Sequence, residues 1–190
     1  VGGQGNLFVG KVLSEVALRT GFGNVVKGET HGMAQLGGAV QSTFACGDVY
    51  SPVLAPGTVD VLVALEYSEV LRPGFLELLK PDGVVALNAL RVLPSGFDPD
   101  DYPALAAVRA ALAGCQVVQF DALAAAQAIG DSAGRTMNVV ALGVLSTIGP
   151  LAAIPVALWR GALIDSSPGE LAKRANLAAF EQGRALRATE

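Results

Sequence analysis

The chain has 190 residues, 52% of them apolar and only 16% charged, with a formal net charge of −4. A chain of this length buries roughly 70% of its unfolded surface, and so few charges mean a large core or apolar surface that covers a partner. The negative balance and the lack of basic runs argue against a nucleic-acid interface. Cys46 and Cys115 lie far apart with no CxxC pattern, which excludes a self-contained zinc or iron–sulfur site.

The chain opens on Val1-Gly2-Gly3-Gln4-Gly5, followed at once by apolar residues at Val9, Val12, Leu13, Val16 and Ala17. This is a glycine turn leading into an amphipathic helix that Gly21 and Gly23 stop. Backbone approaches a ligand closely at such a turn, and free N–H groups at the helix start favour an anion. Glycine turns of this kind follow a strand, so a short strand is expected to precede Val1. Residues 24–30 then read as a second strand, and the stretch from Glu29 to Gly38 gathers Glu29, Thr30, His31, Gln35 and two glycines. In a doubly wound sheet the first two strands end side by side, so these two stretches are expected to form one surface. Residues 39–45 alternate towards strand, with 49–50 pairing back as a hairpin.

Residues 59–65 form a continuous aliphatic run, typical of a parallel strand buried on both faces, with Glu66 and Tyr67 at its carboxyl end. A helix is expected from there to about residue 79, bent near Pro73 and Gly74 and ended by Pro81-Asp82-Gly83. Strands follow at 84–88 and 116–120, helices at 102–113 and from an Asp121 cap to 129. Residues 139–159 reach the length of a membrane span, but Ser146, Thr147, Gly149, Pro150 and Pro155 interrupt them, so they read as two buried helices. Ser167-Pro168-Gly169-Glu170 reads as a capping box opening a last helix to about residue 188. Strands alternating with helices give a single α/β domain over residues 1–190, three-layered, with a mostly parallel sheet and a Rossmann-like start.

The glycine turn lacks the lysine and hydroxyl of a Walker A loop, since Asn6 and Leu7 follow Gly5. Gly2 and Gly5 fit the second and third glycines of a dinucleotide fingerprint, and Glu29 stands where its ribose-binding acid belongs. A free-standing NAD-dependent oxidoreductase is therefore one reading, and a purely architectural turn in a scaffold subunit is another. His31 is the single histidine and a candidate base, yet no Ser-His-Asp, HExxH or paired-carboxylate pattern accompanies it. Asp98, Asp100 and Asp101 read as a solvated loop face. The cysteines read as two buried thiols of a reducing cytoplasm.

The opening turn, Glu29-Thr-His-Gly-Met-Ala-Gln-Leu-Gly-Gly38 and Val49-Tyr-Ser-Pro52 occur in one order with Asn88, Asn138-Val-Val-Ala-Leu-Gly143 and Asn176-x-x-Ala-Phe-x-x-Gly183. Together they make the whole chain similar to the gamma domain of 2-oxoacid:ferredoxin oxidoreductases. The nearest branch is the small (beta) subunit of indolepyruvate and other arylpyruvate enzymes. The resemblance implies a holoenzyme that oxidatively decarboxylates a 2-oxoacid on thiamine diphosphate with Mg. It passes electrons through [4Fe-4S] clusters to ferredoxin and yields an acyl-CoA. The resemblance also implies that the thiamine and cluster sites sit on other domains or on a large partner subunit, with no cofactor or metal held by this chain alone. Gly2, Gly3, Gln4 and Gly5 are then expected to face coenzyme A or the thiamine region, with Glu29, Thr30, His31 and Gln35 on the neighbouring wall. Leu36 departs from the branch, many of whose members carry a basic residue there.

Overall fold

The computed structural model describes residues 5–31, 40–93 and 98–186, with the side chains of His31 and Asp101 left aside. The first helix, α1 (Asn6–Arg19), buries Val12, Val16 and Ala17 along one face, as the 3.6-residue period requires. It leads into β1 (Asn24–His31) and β2 (Val40–Gly47), which pair antiparallel from Asn24 opposite Gly47 to His31 opposite Val40. The hairpin expected between residues 39–45 and 49–50 is thus formed instead by β1 and β2, a separate two-stranded sheet. Val49 and Tyr50 lie outside any strand, and Tyr50 is exposed.

A parallel sheet of order β3-β4-β5 is built from β3 (Val59–Ala64), β4 (Leu79–Asn88) and β5 (Gln116–Phe120). Its aliphatic runs alternate between two cores. Val61, Val63, Val84, Ala86, Val118 and Phe120 face the larger core, while Leu62, Ala64, Val85 and Leu87 face the smaller one. The smaller core is closed by Val70 and by Val108 and Leu112 of the region of α2 (Leu105–Ala111). The larger core takes α1, α3 (Ala122–Ala128), α4 (Met137–Leu145), α5 (Val156–Ser166) and α6 (Gly169–Ala185). Helices on both faces of a parallel sheet give the three-layer α/β architecture.

Several local expectations are corrected. The helix expected over residues 67–79 is two short 3-10 turns, Tyr67–Leu71 and Leu76–Leu78, because Pro73 and the left-handed Gly74 (φ 76°) separate them. Pro81-Asp82-Gly83 does not end a helix but lies inside β4, where the register with β3 shifts between Val59 and Val61; such an irregularity accommodates a proline that has no N–H to give. The helix expected from residue 102 starts at Leu105, since Tyr102 and Pro103 are held elsewhere. The capping box does not close. Pro168 stands at the cap position without a side-chain bond, and Ser167 instead donates to the Leu163 carbonyl at 2.6 Å and accepts from Asn176 at 2.7 Å. Glu170 pairs with Lys173. Both cysteines are half-buried rather than buried, and free; burial and the charge of Asp60 push the Cys46 thiol up.

The interrupted apolar stretch is, as read, two helices, α4 and α5, with a 3-10 turn over Gly149–Ala153 between them. Among the described residues no helix is long and apolar enough to cross a membrane. What packs α4 into the interior is a pair of glycines. A Cβ on Gly143 would lie 2.9 Å from the Arg184 nitrogen, and one on Gly183 would lie 2.9 Å from the Val140 carbonyl carbon, so α4 and α6 meet backbone to backbone. Trp159 and Phe180, both fully buried, stack beside this crossing with centroids 6.1 Å apart.

Candidate functional site

The carboxyl ends of β3 and β4 open into a cleft of about 260 Å³. Gly5 at the start of α1, Leu65 and Leu90 just beyond the strands, and Asn88 line one side. Gly134, Arg135 and Asn138, at and before the start of α4, line the other. Crevices at this end of a parallel sheet are where ligands bind in open α/β folds.

Two features fix the junction. Gly5 adopts a left-handed conformation (φ 76°), and its carbonyl accepts from the Phe8 and Val9 amides at 3.0 and 3.2 Å, opening the helix. Asn138 donates from Nδ2 to the same carbonyl at 3.4 Å. A Cβ on Gly5 would come within 3.1 Å of Asn138 Cγ. The glycine is thus required twice, by its dihedral and by its neighbour. Asn88, 2% exposed, ties the sheet to the helix layer. Its Nδ2 donates to the Leu65 carbonyl at 2.9 Å and its Oδ1 accepts from the Ala122 amide at 3.0 Å.

The loop before α4 is held by Asp131, whose Oδ2 accepts from the Thr136 amide at 2.7 Å and hydroxyl at 2.8 Å. Burial pushes the Asp131 carboxyl up, but the Thr136 hydroxyl and amide, with the Arg135 charge beside it, hold it below the ordinary carboxylate range. Arg135 extends into solvent, 3.9 Å from Asp131, and is the one charged side chain lining the cleft among the described residues. The lining therefore suits an anionic group, and among the described residues it contains no side chain that exchanges a proton near neutrality.

On the hairpin, Glu29 is half-buried and its carboxylate pairs with Lys27 at 2.8 Å, while Thr30 is exposed opposite Gln41. The backbone of His31 ends β1 opposite Val40. Asn6 donates to the Val40 carbonyl at 3.4 Å, which brings the start of α1 to the start of β2. Gly2, Gly3, Gln4, Gln35 and Leu36 lie outside the described residues. A ribose-gripping acid needs the carboxyl end of a parallel strand, whereas among the described residues β1 pairs with the antiparallel β2. Asp98 is exposed and caps a 3-10 turn over Pro99–Asp101, accepting from the Asp100 amide at 3.0 Å.

Sequence reasoning missed Glu66 as a structural centre. Although it directly follows the aliphatic run of β3, it is 1% exposed. It accepts from the Ser68 amide at 3.0 Å, the Ser68 hydroxyl at 2.5 Å, the Val92 amide at 3.4 Å and the Tyr102 hydroxyl. Burial pushes its carboxyl above the ordinary range, against the Ser68 and Val92 hydrogen bonds. The available signal was a carboxylate abutting a buried strand at its carboxyl end.

The layers and the parallel sheet, with a cleft at its carboxyl edge, define an α/β domain built on an open parallel sheet. The chain belongs to the pyruvate ferredoxin/flavodoxin oxidoreductase family, whose pattern it matches over residues 1–186. It is similar to the indolepyruvate oxidoreductase subunit IorB of Archaeoglobus fulgidus, 43% identical over 94 residues, or 50% of this chain and 45% of that protein. IorB of Thermococcus kodakarensis is 40% identical over 95 residues, 50% of this chain and 46% of that one. The matched stretch thus spans about half the length of these relatives. In fold, the chain resembles the gamma subunit of a keto/oxoacid ferredoxin oxidoreductase from Geobacter sulfurreducens, with a TM-score of 0.64 at 21% identity over 97% of this chain and 95% of that one. It also resembles part of the 2-oxoglutarate:ferredoxin oxidoreductase of Magnetococcus marinus, solved with 2-oxoglutarate, coenzyme A and succinyl-CoA bound, with a TM-score of 0.68 at 23% identity over 100% of this chain and 30% of that one.

Proposed function

We propose that this chain is the small subunit of a thiamine-diphosphate-dependent 2-oxoacid:acceptor oxidoreductase. The complex oxidatively decarboxylates a 2-oxoacid, an aryl one by the IorB likeness, to an acyl-CoA and delivers electrons to ferredoxin in the cytoplasm. The observation that carries the reading is the cleft lined by Gly5 and Asn138, set at the carboxyl edge of the sheet in a chain of this family. At about 260 Å³ it is smaller than the roughly 300–1,000 Å³ of a self-sufficient ligand pocket, which suits one wall of a site completed by a large thiamine- and [4Fe-4S]-binding partner.

Thiamine diphosphate with Mg, bound on the partner, supplies the carbanion-stabilising chemistry of the decarboxylation. This chain's part is positioning. Arg135 at the rim offers a guanidinium to an anionic group such as a coenzyme A phosphate. By the family resemblance, Gly2, Gly3, Gln4 and Gly5 are assigned to contact coenzyme A or the thiamine region of the partner, and Glu29, Thr30, His31 and Gln35 to supporting roles beside them. His31 is assigned a positioning role rather than proton transfer, because the sequence shows no second ionisable group that would tune it.

Purification of the chain from its native source tests the reading. A brown, thiamine-containing large subunit should accompany it in fixed ratio. Recovery of the chain as a lone protein that binds NAD would overturn the proposal.

A further inference from the structure

Charged groups are rarely buried without a reason, because taking a carboxylate out of water costs several kcal/mol unless its partners are complete. Glu66 is buried at 1% exposure, beyond the residues assigned to the cleft, and its partners come from three places. Ser68 belongs to the turn after β3, Val92 to the segment leaving β4, and Tyr102 to the segment before α2. Further bonds run in parallel. The Tyr67 amide donates to the Leu90 carbonyl at 3.1 Å and the Tyr67 hydroxyl to the Pro103 carbonyl at 3.0 Å. Arg91 lies 4.3 Å over the Tyr102 ring and donates to the Pro99 carbonyl at 3.2 Å. Glu69 and Arg72 pair with each other on the adjoining turn.

The neighbours of this knot in the chain are cleft residues. Leu65 directly precedes Glu66, and Leu90 is held by the Tyr67 amide; both line the cleft beside Gly5. We infer that Glu66 is a positioning residue whose carboxylate clamps the segment leaving β4, and Tyr102, against the end of β3, and so fixes the Leu65–Leu90 floor of the cleft. An apolar residue would fill the same space with less desolvation, but it would leave the Ser68 and Val92 amides and the Tyr102 hydroxyl without an acceptor. No neutral side chain of the same size accepts from all of them, since glutamine turns one acceptor into a donor.

The inference rests on the proposed function, because the floor matters only where a ligand meets it. The test uses the assembled complex carrying Glu66→Gln or Tyr102→Phe in this chain, with coenzyme A as the titrated substrate. Loss of a hydrogen bond to a buried carboxylate should speed hydrogen exchange at the Ser68 and Val92 amides about tenfold. It should also raise KM for coenzyme A about tenfold with kcat within about twofold, the signature of lost ground-state positioning. Trp159→Phe, remote from the cleft, provides a destabilised control whose KM should not move. Tyr102→Phe keeps the test alive if Glu66→Gln fails to assemble. Faster exchange with an unchanged KM would reduce Glu66 to a structural residue, and unchanged exchange would remove the clamp altogether. A complex that turns over no 2-oxoacid would overturn the proposed function and the positioning role with it, while the exchange rates would still report whether the clamp exists.

Discussion

Asn138 reaches back across 133 positions of sequence to donate from Nδ2 to the carbonyl of Gly5 at 3.4 Å. That bond joins the start of α4 to the start of α1 and shapes the mouth of the cleft. Gly5→Ala should cost about 1–2 kcal/mol for its left-handed backbone alone, and more for the collision with Asn138. If the collision is real, Asn138→Ala should recover part of the loss in the double variant. A double-mutant cycle by chemical denaturation measures this coupling, and strict additivity would deny the contact.

The crossing of α4 and α6 gives a harsher prediction. Gly143→Ala and Gly183→Ala each insert a methyl where backbone already sits, so each should destabilise by about 1–3 kcal/mol or more through overpacking. Because the two glycines meet in one crossing, thermal unfolding of the double variant should show less than the sum of the two losses.

Asn88→Leu should destabilise by about 1–3 kcal/mol, since it orphans the half-buried Leu65 carbonyl and the buried Ala122 amide together. Asn88→Asp should restore the acceptor for Ala122 but set a buried carboxylate against the Leu65 carbonyl, so its denaturation midpoint at neutral pH should also lie below that of wild type and should recover as the pH falls and the carboxyl takes up a proton.

Two carboxylates should give opposite slopes of stability against pH. The folded carboxyl of Glu66 titrates above its ordinary value of 4.5. It therefore holds a proton that the unfolded chain has released, and its contribution is present below that pH and lost as pH rises through the folded value. Asp131 titrates below its ordinary value of 3.8; its contribution is present above that pH and lost as pH falls through the folded value. Denaturation midpoints across the acid range should lose the first slope in Glu66→Gln and the second in Asp131→Asn.

The parts of the fold legible in the sequence are those whose cause is local. The aliphatic run at β3 and the Asp121 cap of α3 needed only neighbouring residues to be read, and β5 lies over Gln116–Phe120 as the sequence analysis has it. The β1–β2 hairpin was missed because strand pairing is settled by register with distant residues and by packing on α1. Ser167 could satisfy a helix start by its spacing from Glu170, yet Leu163 and Asn176 claim it, and both partners lie outside the capping motif. Glu66 was hidden for the same reason, since Val92 and Tyr102 reach it only in the folded chain. The glycines and asparagines of the family motifs were visible as a pattern. Their reasons, a backbone crossing at Gly143 and Gly183 and a bridge at Asn88, were not.

The most direct measurement is turnover by the complex reconstituted from its separately prepared large subunit and this chain, with an aryl 2-oxoacid, coenzyme A and oxidised ferredoxin. Ferredoxin reduction should need all three substrates and both polypeptides. Arg135→Ala in this chain should raise KM for coenzyme A about tenfold, the worth of one charge-assisted contact, at nearly unchanged kcat. Full coenzyme A-dependent activity from the large subunit alone, or an Arg135→Ala complex with an unaltered KM, would contradict the proposed function.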